Sequence, residues 1–316
     1  MKKTVSLTLI LFLIFASCKQ NSNDTSKNTD MKYSQSAQNE QFNYIVDLTI
    51  KTPYELFIDD IKIASNYSRG SNAAVELNPY ILRNGKHKIK IKLFPFWQHN
   101  EAVINNEEIL NSRLLFGYYL KDRTSNKVSQ YAADIPLKIN TPTSPVPYYE
   151  QVWDVDIKNL PYELEGWSKG QDLSKMDQND LKKNVVSYYE KLWNILNNGD
   201  AAAYQNLWKV ADADLLIYDY LTEDAYSKAT SKNAIEYKKC ENTMIPLEDY
   251  EMVLHANGRM VSLERKTHTR EFNNEKPLDI KGWSPLIRKY KVSGGASYGL
   301  KLYLPPNSNE FVIIRK

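Results

Sequence analysis

The chain has 316 residues, 42% of them apolar and 25% charged, long enough for two ordinary domains and apolar enough for each to bury a core. Its 11 glycines and 13 prolines are too few for a collagen-like or broadly disordered polymer. The formal charge is +3, and removing Lys2 and Lys3 with the leader described next leaves 39 basic against 38 acidic side chains. That balance excludes the basic excess by which nucleic-acid binders neutralise phosphates.

Lys2 and Lys3 precede an apolar stretch, Val5 to Phe15, broken only by Ser6 and Thr8. A spanning helix needs ~20 apolar residues, so this stretch reads as the core of a signal peptide. Phe15-Ala16-Ser17-Cys18 follows and resembles the lipobox of bacterial lipoproteins, in which small residues precede the modified cysteine. The resemblance implies a signal peptide over residues 1–17, cleavage before Cys18, fatty acylation of Cys18 and attachment to a membrane through that lipid. Residues 18–41 are rich in Asn, Ser, Lys, Gln and Thr and read as a flexible tether, a coil that holds a domain ~25–30 Å from the lipid. The tyrosine-rich and asparagine-rich style is similar to that of Bacteroidetes envelope proteins. In lipoproteins of that group an acidic cluster after the cysteine accompanies surface export. Lys19-Gln20-Asn21-Ser22-Asn23 contains none, so the expected location is the cell envelope, at the outer membrane and facing the periplasm. With Cys18 acylated, Cys240 has no disulfide partner and reads as a small buried residue.

Residues 42–172 read as a β-sandwich domain. Tyr44, Val46, Leu48 and Ile50 share one face of a strand. Asp59-Asp60 forms a tight reversal between Tyr54 to Ile58 and Ile61 to Ala64. After Asn84-Gly85, Ile89, Ile91 and Leu93 point inward while Lys86, Lys88, Lys90 and Lys92 form a solvated face. This order, with Leu82-Arg83-Asn84-Gly85-Lys86-His87-Lys88-Ile89, resembles small immunoglobulin-like or PEGA-like envelope sandwiches, which implies an Ig-like arrangement. Leu114 to Leu120, Ala132 to Ile139 and Gln151 to Ile157 complete the sheets. Trp97 and Trp153 belong to a set of aromatic residues that reads mainly as core, and as a sugar-stacking surface if exposed.

Residues 173–316 read as an α+β domain with helices packed on an antiparallel sheet. Leu181, Val185, Tyr188, Tyr189, Leu192, Trp193 and Leu196 recur at helical spacing, with Asp177 or Asp180 as cap and Gly199 as terminator. Asp200 caps a second helix through Trp208, and Thr222 to Tyr237 is a third. Asn257-Gly258 is predicted to close a two-residue type I′ hairpin, after which Pro285 to Val292, Tyr298 to Leu304 and Phe311 to Ile314 supply three more strands of the sheet. Tyr188-Tyr189-Glu190-Lys191-Leu192-Trp193 with Asn197-Asn198-Gly199-Asp200 resembles the opening helices of the NTF2-like or SnoaL-like superfamily, which implies a curved sheet around a conical pocket.

No catalytic motif is present: there is no nucleophile elbow, phosphate loop or dinucleotide fingerprint. The four histidines lack metal-ligand spacing, and no cofactor is expected. If a ligand pocket exists in the second domain, His255, Glu264 and Arg265 are its polar candidates; in the first domain Trp97 and Trp153 are the candidates. The expectation is a non-catalytic envelope lipoprotein that binds a protein partner or an envelope polysaccharide or other polymer, an immunity protein being one concrete version. Glycan capture by the first domain and a small-molecule enzyme in the second are the alternatives.

Overall fold

The computed structural model describes residues 40–122, 127–272 and 277–316. Cys18, the leader and the tether as far as residue 39 lie outside the described residues. The first half contains β1 (Glu40–Ile50), β2 (Tyr54–Ile58), β3 (Ile61–Asn66), β4 (Ser71–Glu76), β5 (Gly85–Leu93), the short helix α1 (Asn106–Leu110), β6 (Arg113–Asp122), β7 (Val128–Pro136) and β8 (Tyr149–Ile157). These strands make two antiparallel sheets, ordered β4-β1-β6-β7 and β3-β2-β5-β8. The alternation seen in the sequence decides which faces meet. Tyr44, Val46 and Leu48 of the first sheet and Leu56, Ile58, Ile89, Ile91 and Leu93 of the second enter one apolar cluster. β1 takes in the last two residues of the expected tether, because Glu40 and Gln41 already pair with Asp122 and Lys121. β4 had no apolar alternation to announce it; its Ser-Asn-Ala run is held by backbone pairing to β1.

Asp59 and Asp60 link β2 to β3 with both residues at positive φ, 47° and 64°, a conformation that aspartate tolerates better than most side chains. Gly117 marks where β6 and β7 come unusually close. A Cβ there would stand 2.0 Å from the Ala132 carbonyl oxygen and 2.4 Å from the Ala133 Cα.

The second half contains α2 (Gln178–Asn197), α3 (Ala201–Asn206), α4 (Lys209–Tyr218), α5 (Glu223–Lys238), β9 (Tyr250–His255), β10 (Met260–Arg265), β11 (Thr269–Arg270), β12 (Leu278–Asp279), β13 (Ile287–Lys289), β14 (Gly295–Ser297), β15 (Lys301–Tyr303) and β16 (Val312–Arg315). The expected caps are in place, Asp177 accepting from the amides of Asn179 and Asp180 and Asp200 from Ala203; Thr222, expected as the first residue of its helix, is instead its cap and accepts from Ala225. Leu181, Val185, Tyr189, Leu192 and Leu196 form the buried stripe of α2. This stripe packs on the sheet β16-β15-β10-β9. The Tyr189 hydroxyl fixes the register, donating to the Leu300 carbonyl at 3.2 Å and accepting from the Leu263 amide at 3.1 Å. The chain as a whole is α+β, with antiparallel sheets throughout the described residues.

Two expectations need correction. Of the segment 285–292, only β13 is extended, and it pairs with β14 as a separate ribbon instead of joining the larger sheet. The hairpin at Asn257-Gly258 exists, but four residues separate His255 from its partner Met260, so the turn is not the two-residue kind. Ala256, Asn257 and Gly258 are all at positive φ. The cause lies across the molecule: the Ala256 amide donates to the Asp60 carbonyl at 3.2 Å, and the Asn257 amide to the Asp60 carboxylate at 3.2 Å. The second half's hairpin tip is opened to dock on the tip of β2-β3.

Replacing Gly117 with alanine is expected to cost about 3 kcal/mol or more, since backbone rather than a yielding side chain occupies the space. Urea denaturation checks this, and a loss within about 0.5 kcal/mol would show that β6 and β7 can part there.

Candidate functional site

Two polar places stand out: a buried chain of side chains at the seam between the halves, and an open cleft beside it. The seam begins on β10, whose alternation sends Ser262 and Glu264 to one face and Arg265 to the other. His255, at the end of β9, is 1% exposed and has its Nε2 2.8 Å from the Ser262 hydroxyl. That hydroxyl donates to Glu264 Oε1 at 3.4 Å, and Glu264 Oε2 accepts from the ammonium of Lys62 on β3. Lys62 also donates to the Tyr67 hydroxyl at 3.1 Å and pairs with Glu55 at 3.5 Å. Both Lys62 and Glu264 keep only 10% of their side-chain surface exposed.

His255 Nε2 and the Ser262 hydroxyl share a hydrogen bond whose direction follows the tautomer of the ring, and His255 Nδ1 has no partner among the described residues. A serine nucleophile needs an imidazole whose other nitrogen is oriented by a third group, and His255 lacks that group among the described residues. Burial, then the charges of Lys301 and Lys62, hold the His255 pKa well below the usual value, so its ring is neutral. Burial raises the Glu264 carboxyl, and Lys62 offsets part of that rise. Lys301 on β15 is pulled down to about 8 by burial, with Lys62 and Arg315 adding to the effect and Glu264 opposing it. A polar cavity of about 200 Å³ lies among Lys62, Ser262, Glu264 and Lys301. Of the groups around it, Lys62, Ser262 and Glu264 are engaged where β3 meets β10, and Lys301 donates to the Lys316 carbonyl at 3.1 Å.

The structure therefore brings His255 and Glu264 together but not Arg265. Arg265 Nη1 donates to the Glu248 carbonyl at 2.6 Å, and Nη2 pairs with Asp249 at 3.3 Å, on the opposite face of β10. Trp97 is also a seam residue: its ring stacks on His268 at 4.2 Å and its Nε1 donates to Asp279 at 3.2 Å. Trp153 is half-buried against the first core and donates to the Lys138 carbonyl at 2.9 Å. Both indole N–H groups are satisfied within the chain. Cys240 is fully buried beside the Tyr298 hydroxyl at 3.0 Å, and burial pushes its thiol pKa up, away from reactivity. Among the described residues no group of His, Cys, Asp and Glu is arranged to hold a metal ion.

The cleft encloses about 1180 Å³. Its floor is the outer face of β5 and β8, where Lys86, Lys88 and Lys90 stand next to Glu150 and Val152. One wall is the connector from Glu163 to Lys169, and Asn257 of the opened hairpin reaches its rim. His87 anchors one end. Its Nδ1 lies 2.6 Å from the Asp59 carboxylate and its Nε2 3.0 Å from the Arg83 carbonyl, two acceptors that require both nitrogens to carry protons. Burial opposes that charge, but the Asp59 hydrogen bond and charge, with the Arg83 carbonyl, outweigh it and raise the His87 pKa. The lysine row was legible in the sequence as a solvated face. That the connector folds over it to make a groove was not, since nothing local to β5 encodes it. No family model, no curated protein and no solved structure matches this chain.

Lys62→Met leaves Glu264 buried without its counter-ion and is expected to cost about 3–5 kcal/mol, most of it recovered in Lys62→Met with Glu264→Leu. Denaturant titration of both variants measures the difference; a double variant no better than the single would remove the ion pair from the account. The two histidines have opposite signs. Stability from His87 is fully present below the ordinary histidine pKa and is lost as pH rises through its raised value. That from His255 is present above the ordinary value and is lost as pH falls below it. His87→Gln should therefore show its largest deficit near about pH 5, and His255→Gln near about pH 8, measured as unfolding free energy against pH.

Proposed function

We propose that the chain is a non-catalytic, lipid-anchored protein of the cell envelope, at the outer membrane facing the periplasm, whose open cleft binds a partner molecule. The observation that carries the binding part is the size and character of the cleft. At about 1180 Å³ it exceeds the ~300–1,000 Å³ of small-molecule sites, it is partly open to solvent, and charged side chains of both signs line it. Such a groove suits a long ligand that enters sideways. The anchoring part rests on the sequence at Cys18 and on the polar tether after it.

In this reading the first half is an Ig-like β-sandwich that presents the cleft. Two four-stranded antiparallel sheets sharing one apolar cluster support the sandwich. The strand order differs from the constant-type immunoglobulin order, so the likeness is one of architecture. The alternative of a catalytic second half is less well supported, because the buried His255, Ser262 and Glu264 are committed to one another and to Lys62.

Mass spectrometry of the chain purified from envelopes is expected to give a product that begins at Cys18 and carries lipid, and Cys18→Ser should release it from the membrane fraction. A chain still starting at Met1, or an unmodified thiol, would sink the anchoring claim. A photo-crosslinking residue at Lys86 should form covalent adducts in intact envelopes, whereas the same residue at Lys232, exposed on α5, should not. Equal labelling from both positions would remove the cleft as the binding face.

A further inference from the structure

We infer that the occupant of the cleft is an extended polypeptide segment carrying acidic side chains at every second residue; this rests on the cleft being the binding face. β5 lays Lys86, Lys88 and Lys90 along the floor. Same-face residues of a strand recur about every 7 Å. An extended peptide has the same repeat, so carboxylates at alternate positions meet successive ammonium groups in register.

The ion pairs already present favour such an exchange. Lys86 has no ion-pair partner among the described residues: its cross-strand neighbour Asp156 is taken by Lys158 at 2.8 Å. Lys88 pairs with Asp154 at 2.9 Å, but the two side chains are 67% and 71% exposed, and pairs so wet are worth little. Lys90 is the most engaged of the three, 22% exposed, 3.4 Å from Asp60 and over the Phe57 ring at 4.6 Å, so the exchange falls mainly to Lys86 and Lys88. On the facing wall Glu163 and Glu165 are exposed and also two residues apart. They oppose a uniformly acidic ligand and favour one whose other face is basic.

A glycan is the less suitable occupant, because the rings in the lining have no free face. Trp167 is 6% exposed beneath the Arg315 guanidinium, 4.8 Å from its ring centre. Tyr80 has Lys301 5.3 Å from its ring and donates its hydroxyl to the Lys316 carbonyl at 3.1 Å. Sugar binding by stacking needs such faces. Val152, 45% exposed between the charged positions, offers an apolar foothold that a peptide side chain can cover.

Two labelled synthetic peptides of about twelve residues, spanning about 40 Å when extended, test the spacing: one strictly alternating Glu and Lys, the other repeating Glu-Glu-Lys-Lys. Composition and net charge are identical. By fluorescence anisotropy the alternating peptide is expected to bind about ten-fold more tightly. The advantage should vanish in Lys86→Glu with Lys88→Glu, whose exposed positions leave the fold intact, as checked by an unchanged melting temperature. Equal affinity for the two peptides, no binding of either, or an advantage that survives the charge reversal would each overturn the inference. If neither peptide binds while the crosslinker at Lys86 still captures envelope material, the ligand chemistry is wrong and the cleft reading survives; if Lys86 captures nothing, both fail.

Discussion

An ammonium and a carboxylate, both largely withdrawn from water, constrain how the two halves of this chain meet. Lys62 comes from β3 and Glu264 from β10, 202 residues apart in sequence, and each retains a tenth of its side-chain exposure. Removing two such charges from water costs several kcal/mol per ion, and the pair is tolerable only because its surroundings supply further partners. Lys62 has Tyr67 and Glu55; Glu264 has Ser262. Each of those groups is fixed by an element of one half, so the pair is satisfied in one arrangement of β3 against β10.

That constraint reaches the cleft. The same approach of β3 to the second sheet lets Asp60 capture the amides of Ala256 and Asn257, which forces three consecutive left-handed residues into the β9-β10 turn. Left-handed backbone is unfavourable by about 1–2 kcal/mol for a residue with a Cβ, and Ala256 bears that cost for the sake of two hydrogen bonds across the seam. Arg315 works alongside, pairing with Asp214 of α4 at 2.8 Å while lying over Trp167. Trp167 belongs to the connector that walls the cleft. The groove is thus fixed by contacts in the seam behind it, while several of its own ion pairs are between exposed side chains.

How much of this was legible depends on the range of the interaction that encodes it. The inward faces of β1 and β5 and the buried stripe of α2 repeat within a few residues, and the sequence shows them directly. So do the caps Asp177 and Asp200, which act on amides two or three residues away. β4 was missed because pairing to β1 holds it without an apolar face, and α4 because only Ala211 of its residues is buried. The seam is a different case. His255 and Glu264 drew notice as polar residues in an apolar hairpin, but Lys62 sits in a strand that reads as an ordinary half-exposed edge. Trp97, an apparent sugar-stacking ring, is accounted for by His268 and Asp279 far along the chain. No periodicity carries such information.

The two buried histidines are both engaged in packing. His87 is held as a cation between a carboxylate and a carbonyl, and His255 as a neutral ring hydrogen-bonded to a serine. Neither has a vacant, solvent-facing nitrogen with the matched pKa that proton transfer to a bound molecule requires. The groups that remain free to interact are the long, wet side chains of the cleft, and their charges nearly cancel, as do those of the whole chain. A neutral groove exerts little pull beyond a Debye length of about 8–10 Å, so long-range steering contributes little to encounter. On the proposal that the cleft binds a partner, recognition falls to the spacing of charges at contact distance, which is a property of the strand that carries them.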